Sequence, residues 1–146
     1  MIDRQHLYAD YEKVKEYATE VLGYEVLEGS DYIDECDASL KKITICSRTG
    51  IEKRLYGLLH ECGHALIRKD WGKFYKEYKG RVRGDIDGRR ARTDLHKVST
   101  IEEEVEAWKR GKRLSKRLGL GLYEDRFDAH KAECLMTMFD GLLNDS

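Results

Sequence analysis

The chain of 146 residues is the size of one domain, and we expect a single domain over residues 1–146. Charged residues make up 38% of it, but the net charge of −1 argues against a dedicated nucleic-acid-binding protein. No apolar run approaches the roughly 18 residues of a membrane span, and the polar residues 1–10 give no sign of a signal peptide. The four cysteines form no Cys-x-x-Cys pair, so we expect reduced thiols and a cytoplasmic location.

The chain begins with a predicted amphipathic helix over residues 4–22. Its apolar side chains recur at spacings of three and four residues, and Gly23 follows as a terminator. These apolar positions are Leu7, Tyr11, Val14, Ala18 and Val21. Three short segments of strand-forming sequence come next and predict a small sheet. They are residues 24–27, 31–36 and 41–46.

A longer helix is predicted over residues 50–68. It is opened by a capping box, in which the side chains of Thr49 and Glu52 each bond the other's backbone N–H. The apolar and small residues of this helix fall on one arc, and His60 and His64 fall on the opposite side. The arc consists of Ile51, Leu55, Leu58, Leu59, Cys62, Ala65 and Leu66.

The second half of the chain is harder to divide into elements. Residues 69–98 are rich in glycine and arginine and are predicted to be irregular. A second capping box, Ser99 with Glu102, predicts a helix that ends near Leu118. A last helix is predicted from Asp125, with an apolar face of Ala132, Leu135, Met136, Phe139 and Leu142. One helix, a small sheet and then further helices predict an α+β fold.

His60, Glu61 and His64 form an H-E-x-x-H motif on the second predicted helix. Positions i and i+4 of a helix lie one above the other, so both imidazoles can reach one metal ion, which we expect to be Zn²⁺. Glu61 can take a proton from a water molecule that the metal activates. Gly57 precedes His60 by one turn and leaves room for another segment to approach. The alternative is a pair of surface histidines on a polar helix face.

A catalytic zinc ion needs a third protein ligand, and the next predicted helix offers four glutamates. Helical periodicity places Glu104 inside the apolar arc and Glu103 at its border, with Glu102 and Glu106 on the charged side. A carboxylate in a core-facing stripe is costly unless it is paired or bound to metal, so we predict Glu104 as the third ligand. The alternatives are Glu103, His96, or a charged helix with one unfavourably placed glutamate.

The segments His60–Leu66 and Glu104–Ala107 resemble the two motifs of the ImmA/IrrE family of small metallopeptidases, which are gluzincins. The resemblance implies a zincin-like fold, with both motif histidines and Glu104 as zinc ligands and Glu61 as the catalytic residue. It also implies cleavage of a protein substrate, often a transcriptional repressor. The chain would be a stand-alone catalytic domain, as phage and mobile-element members can be.

The sequence departs from the family pattern in two places. Trp108 stands where gluzincins often have Asp or Asn after the alanine, so the residue that supports a ligand histidine is unassigned. The interval from His64 to Glu104 is also longer than in compact members, and the arginine-rich stretch fills it.

Peptide substrates of such folds usually bind as an extra strand along a sheet edge. Ile43, Thr44 and Ile45 come shortly before the active-site helix, and we predict them as that edge. A further side chain should stabilise the oxyanion, although each candidate is more simply explained as structural. The candidates are His96, His130, Tyr56 and Tyr123.

Two other functions are compatible with the sequence. The first is a non-catalytic, zinc-stabilised module that binds a protein partner, but such a module has no use for Glu61. The second is a nucleic-acid-binding regulator that uses the arginine-rich loop 79–97. The near-zero net charge weighs against it.

Overall fold

A computed structural model describes residues 2–81 and 93–144. The elements confirm the α+β pattern, with the sheet early in the chain. In chain order they are α1 (Arg4–Glu20), β1 (Glu25–Gly29), β2 (Glu35–Asp37), β3 (Lys42–Cys46), α2 (Ile51–Arg68), α3 (Trp71–Glu77), α4 (Asp94–Arg117) and α5 (Glu124–Asn144).

The three strands form one sheet in the order β1-β3-β2. β3 pairs in parallel with β1 and antiparallel with β2, so Ile43 lies between Val26 and Cys36. The prediction that Ile43, Thr44 and Ile45 form a substrate-binding edge is therefore wrong. The alternation of apolar and polar residues in β3 shows which face of the strand is buried. It carries no information on which strands pair with β3.

Helix α1 packs its predicted apolar stripe into the core. The side chain of Asp3 caps the helix by accepting hydrogen bonds from two backbone N–H groups. The helix ends at Glu20, because the backbone turns at Gly23 with a φ of +75°. Val21 lies past this end and is 63% exposed, unlike the other four predicted positions. The buried four are Leu7, Tyr11, Val14 and Ala18.

Helix α2 lies at the centre of the molecule, in contact with α1, the sheet, α4 and α5. It begins after Gly50, and no side chain of the described residues makes a capping hydrogen bond there. The predicted Thr49–Glu52 capping box is therefore wrong. The carboxylate of Glu52 instead accepts hydrogen bonds from Arg126 and Tyr56. Because α2 is covered on nearly every side, both its polar and its apolar residues face other parts of the protein.

The region predicted to be irregular contains helical structure. Residues 71–77 form α3, and α4 begins at Asp94, five residues before Ser99. The hydroxyl of Thr93 caps α4 by accepting a hydrogen bond of 3.2 Å from a backbone N–H. The predicted Ser99–Glu102 box is therefore wrong, since Ser99 is a buried residue within the helix. Of the arginine-rich loop, residues 82–92 lie outside the described residues.

Helices α2 and α4 approach closely because each has a glycine at their contact. A Cβ on Gly63 would overlap the carbonyl oxygen of Ala107, and a Cβ on Gly111 would lie 2.7 Å from the carbonyl oxygen of Leu59. This spacing brings two neighbouring acidic residues of α4 against the histidines of α2. The buried face of α4 consists of Ser99, Thr100, Glu103, Ala107, Trp108, Gly111, Leu114 and Ser115.

Helix α5 is held to the core mainly through its first turns. The ring of Phe127 is fully buried and meets the rings of Tyr56 and Trp108 edge-on, with centroids 5.4 and 5.5 Å apart. The predicted apolar face is only partly correct. Leu135 packs against the core, whereas Ala132 and Met136 are exposed.

All four cysteines are free thiols, in agreement with the sequence prediction. Cys62 is buried in α2, and the others are partly buried. Within the described residues, no helix combines the length and the apolar character needed to cross a membrane.

Candidate metal centre

Two histidines of α2 and one glutamate of α4 meet at a single point. The Nε2 atom of His60 lies 2.8 Å from Oε2 of Glu104, and Nε2 of His64 lies 3.0 Å from Oε1 of the same carboxylate. The two imidazole rings are 4.7 Å apart between centroids. The three residues that the sequence predicts as metal ligands are thus brought together. The alternative of two surface histidines does not apply, since both side chains are at most 12% exposed.

This donor set fits zinc. Ligand atoms bound tetrahedrally at about 2.1 Å lie about 3.4 Å from one another, somewhat more than the nitrogen-to-oxygen separations of 2.8 and 3.0 Å seen here. In the described part of the chain, the ion pairs of Glu104 are with the two imidazoles and not with Arg or Lys. A mostly buried carboxylate that is paired with two imidazoles can bind a metal ion in their place with little rearrangement of the site.

Glu61 lies beside this group. One of its carboxylate oxygens is within 4.8 Å of a ligand atom of each histidine. Its Oε1 lies 3.2 Å from Nδ1 of His60, the ring nitrogen that does not face Glu104. Glu104 is therefore better placed than Glu61 to be a metal ligand.

Glu103 was offered by the sequence only as an alternative metal ligand, and neither its burial nor its partners were predicted. Its side chain is fully buried, and its Oε2 accepts a hydrogen bond of 2.6 Å from Nδ1 of His64. Arg68 donates to both oxygens of the same carboxylate, over 3.1 and 2.9 Å. The predicted arc was centred on the neighbouring glutamate and so placed Glu103 at its border. Ser99 and Ala107, which are buried four residues before and after Glu103, mark the observed face.

The charges of the site stabilise one another. Burial alone would lower the pKa of His64, but its hydrogen bonds with Glu103 and Glu104 outweigh burial and raise the pKa. Burial opposes the charged form of both carboxylates, yet hydrogen bonds to the histidines, and to Arg68 for Glu103, hold their pKa values well below the usual range. Burial likewise opposes the charged form of His60, but hydrogen bonds with Glu104 and Glu61 raise its pKa.

Trp108 packs against the other histidine of the group. Its indole stacks on the ring of His60, with centroids 4.3 Å apart and planes inclined by 11°. Trp108 is itself held by edge-on contacts with Phe127 and His130. The indole ring of Trp108 thus fixes the plane of His60.

The centre opens into a cleft of about 770 Å³. One wall is β2 with its flanking residues, and the other comes from the end of α2, α3 and Arg81. Gly57 leaves space beside the centre, as the sequence suggested, and the carboxylate of Asp34 lies in it. The lining residues used below are His60, Glu61, His64, Arg68 and Glu104, with Glu35, Cys36 and Asp37 of β2.

One of the four candidates for oxyanion stabilisation, His130, lines a second cavity of about 190 Å³ together with His60, Glu61 and Glu104. The other tyrosine and histidine candidates have structural roles or lie elsewhere. Tyr56 is buried with its hydroxyl on Glu52, Tyr123 accepts a hydrogen bond from a backbone N–H, and His96 lies in the first turn of α4.

Comparison with known proteins finds no matching family, no matching curated protein and no matching solved structure. The resemblance to the ImmA/IrrE family therefore stays a prediction, and the functional argument depends on the geometry of the site.

Proposed function

We propose that this chain is a zinc-dependent metallopeptidase with a zincin-like fold, which hydrolyses a peptide bond of a protein substrate in the cytoplasm. The observation that carries the proposal is the meeting of two Nε2 atoms and the Glu104 carboxylate at the floor of a wide cleft, with Glu61 beside them. A structural zinc site is closed by protein ligands, whereas three ligands beside an open cleft leave a position for water and substrate.

Each residue has a separate role in the proposed reaction. His60, His64 and Glu104 would hold the zinc ion. Bound zinc supplies a Lewis acid that polarises the scissile carbonyl and acidifies a water molecule. Glu61 takes a proton from the attacking water on its carboxylate and delivers a proton to the nitrogen of the leaving amine. Glu61 is only 4% exposed, which limits the exchange of that proton with bulk water.

The peptide substrate is expected along β2 and not along β3. Among the described strands, β2 pairs with β3 alone, and all three of its residues line the cleft. An extended peptide can add to such an edge through backbone hydrogen bonds, with its side chains directed alternately towards and away from the cleft. This proposal moves the substrate-binding strand from β3 to β2 and keeps the binding of the peptide as an added strand.

The first test is the zinc content of the purified protein, measured by elemental analysis. We expect about one zinc ion per chain in the wild type and in Glu61→Gln. His60→Ala and Glu104→Ala should retain much less, because each loses a ligand. Full zinc content in Glu104→Ala would contradict the ligand set, and no zinc in the wild type would contradict the proposal.

The second test is peptide cleavage. Zinc-loaded wild type, zinc-loaded Glu61→Gln and chelator-treated wild type are incubated with a pool of cellular peptides, and new termini are identified by mass spectrometry. We expect new termini with the zinc-loaded wild type alone, since the change to glutamine keeps the shape of the side chain and removes the proton acceptor. A wild type that holds zinc but yields no new termini would favour the non-catalytic, zinc-stabilised module.

A further inference from the structure

A fully buried carboxylate lies behind His64, on the side of the ring away from the cleft. Glu103 has 0% exposure, and the proposed proton transfers do not involve it. Burying a carboxylate is costly unless it is paired and hydrogen-bonded, and this one is paired on both oxygens. Its partners are Nδ1 of His64 at 2.6 Å and the guanidinium of Arg68 at 2.9 and 3.1 Å.

The hydrogen bond to Glu103 determines which nitrogen of His64 faces the cleft. The two ring nitrogens of an imidazole point in different directions, so a proton held at Nδ1 leaves the lone pair on Nε2. Nε2 of His64 is the atom that lies 3.0 Å from Glu104. Glu103 therefore selects both the tautomer and the ring orientation that a metal ligand needs.

Arg68 limits the orientations that the carboxylate of Glu103 can adopt. Its planar guanidinium engages both carboxylate oxygens in the geometry typical of bidentate pairs. The guanidinium also lies over the ring of Phe74 in α3, with 4.7 Å between its central carbon and the ring centroid. Arg68 is thus fixed from two sides, and Glu103 cannot turn towards the cleft and compete with Glu104.

We propose that Glu103 and Arg68 form a positioning pair, which holds His64 in its metal-binding orientation and leaves Glu104 as the acidic ligand. This inference rests on the proposed zinc site. It assigns different roles to two glutamates of α4 that are neighbours in the sequence. Glu104 contacts the metal position, whereas Glu103 acts through His64.

The test is the affinity for zinc of the folded protein, measured by competition with a chromogenic chelator. We expect Glu103→Gln to bind zinc roughly 10- to 100-fold more weakly than the wild type, as is typical when the partner of a ligand histidine is changed. Glu106→Gln is the matched control. Glu106 lies on the same helix and pairs with Arg110 and Arg113 at the surface, so its change should leave zinc affinity within about twofold.

A second readout separates positioning from a merely structural role. Cobalt is bound in place of zinc, and its visible absorption reports the ligand geometry. We expect an altered cobalt spectrum in Glu103→Gln and an unaltered one in Glu106→Gln. A folded Glu103→Gln variant with wild-type zinc affinity and spectrum would overturn the proposal.

Arg68→Lys covers the case in which Glu103→Gln does not fold. Lysine keeps the charge but cannot engage both oxygens, so we expect weaker zinc binding and an altered cobalt spectrum. Wild-type values for both would overturn the role of the pair. The outcome is independent of peptide cleavage, because a wild type that binds zinc and cleaves nothing contradicts the proposed function alone. A wild type that binds no zinc contradicts both.

Discussion

Gly63 is a residue at which two effects of one substitution oppose each other. Alanine is favoured over glycine within a helix by about 1 kcal/mol. The new Cβ, however, would overlap the carbonyl oxygen of Ala107, a backbone atom that cannot move aside like the end of a side chain. We expect the overlap to dominate, so that Gly63→Ala lowers the free energy of unfolding in urea by about 1–3 kcal/mol.

Gly141→Ala is the matched control for this prediction. Gly141 also lies within a helix, but a Cβ built there meets nothing within 4 Å. Helix propensity should then act alone and raise the free energy of unfolding by up to about 1 kcal/mol. A Gly63→Ala variant as stable as Gly141→Ala would show that α2 and α4 are farther apart than described. The same spacing sets the distance from Glu104 to both histidines, so Gly63→Ala should also weaken zinc binding.

At the scale of elements, α5 is attached by its N-terminal part. Phe127 is fully buried, and the flanking Arg126 and Asp128 form ion pairs with Glu52 of α2 and Lys112 of α4. The surface ion pairs are worth little, at most about 1 kcal/mol each. The attachment of α5 therefore depends on the aromatic contact between Phe127 and the core.

Phe127→Ala is expected to lower the free energy of unfolding by about 3–5 kcal/mol, because it removes a buried ring and leaves a cavity. Met136→Ala on the same helix should change it by no more than about 0.5 kcal/mol, since Met136 is 58% exposed. Both values can be measured by urea unfolding followed by circular dichroism. Equal effects of the two changes would contradict the described docking of α5.

The elements differ in how far the sequence predicts them. The spacing of His60 and His64 follows from helical geometry within one segment, so their convergence was predictable. The central place of β3 depends on pairing with two distant strands, which its own alternation does not encode. The burial of Glu103 depends on which face of α4 touches α2, and that face is marked by small residues such as Ala107 that carry little hydrophobic signal.

At the scale of the whole molecule, the proposed metal site joins two helices that come from different halves of the chain. α2 would provide two ligands and α4 the third, along the most extensive helix contact in the described structure. The unfolded chain has no such site, so zinc should bind the folded state preferentially. Metal binding is then coupled to the stability of the complete α2–α4 unit.

Zinc is therefore expected to stabilise the protein against thermal unfolding in proportion to the logarithm of its free concentration. At a free concentration 100-fold above the dissociation constant, the gain is about 2.7 kcal/mol. The measurement is a series of melting curves in zinc buffers. Magnesium at the same concentration should have no effect, because it prefers oxygen ligands to imidazole.

His64→Ala distinguishes this site from adventitious binding at thiols. The variant keeps all four cysteines and loses one proposed ligand, so its melting temperature should not respond to zinc. A zinc response equal to that of the wild type would mean that the metal binds elsewhere. If the His64→Ala variant and the Glu104→Ala variant each lose the zinc response, α2 and α4 share one metal ion, since each variant alters a different helix.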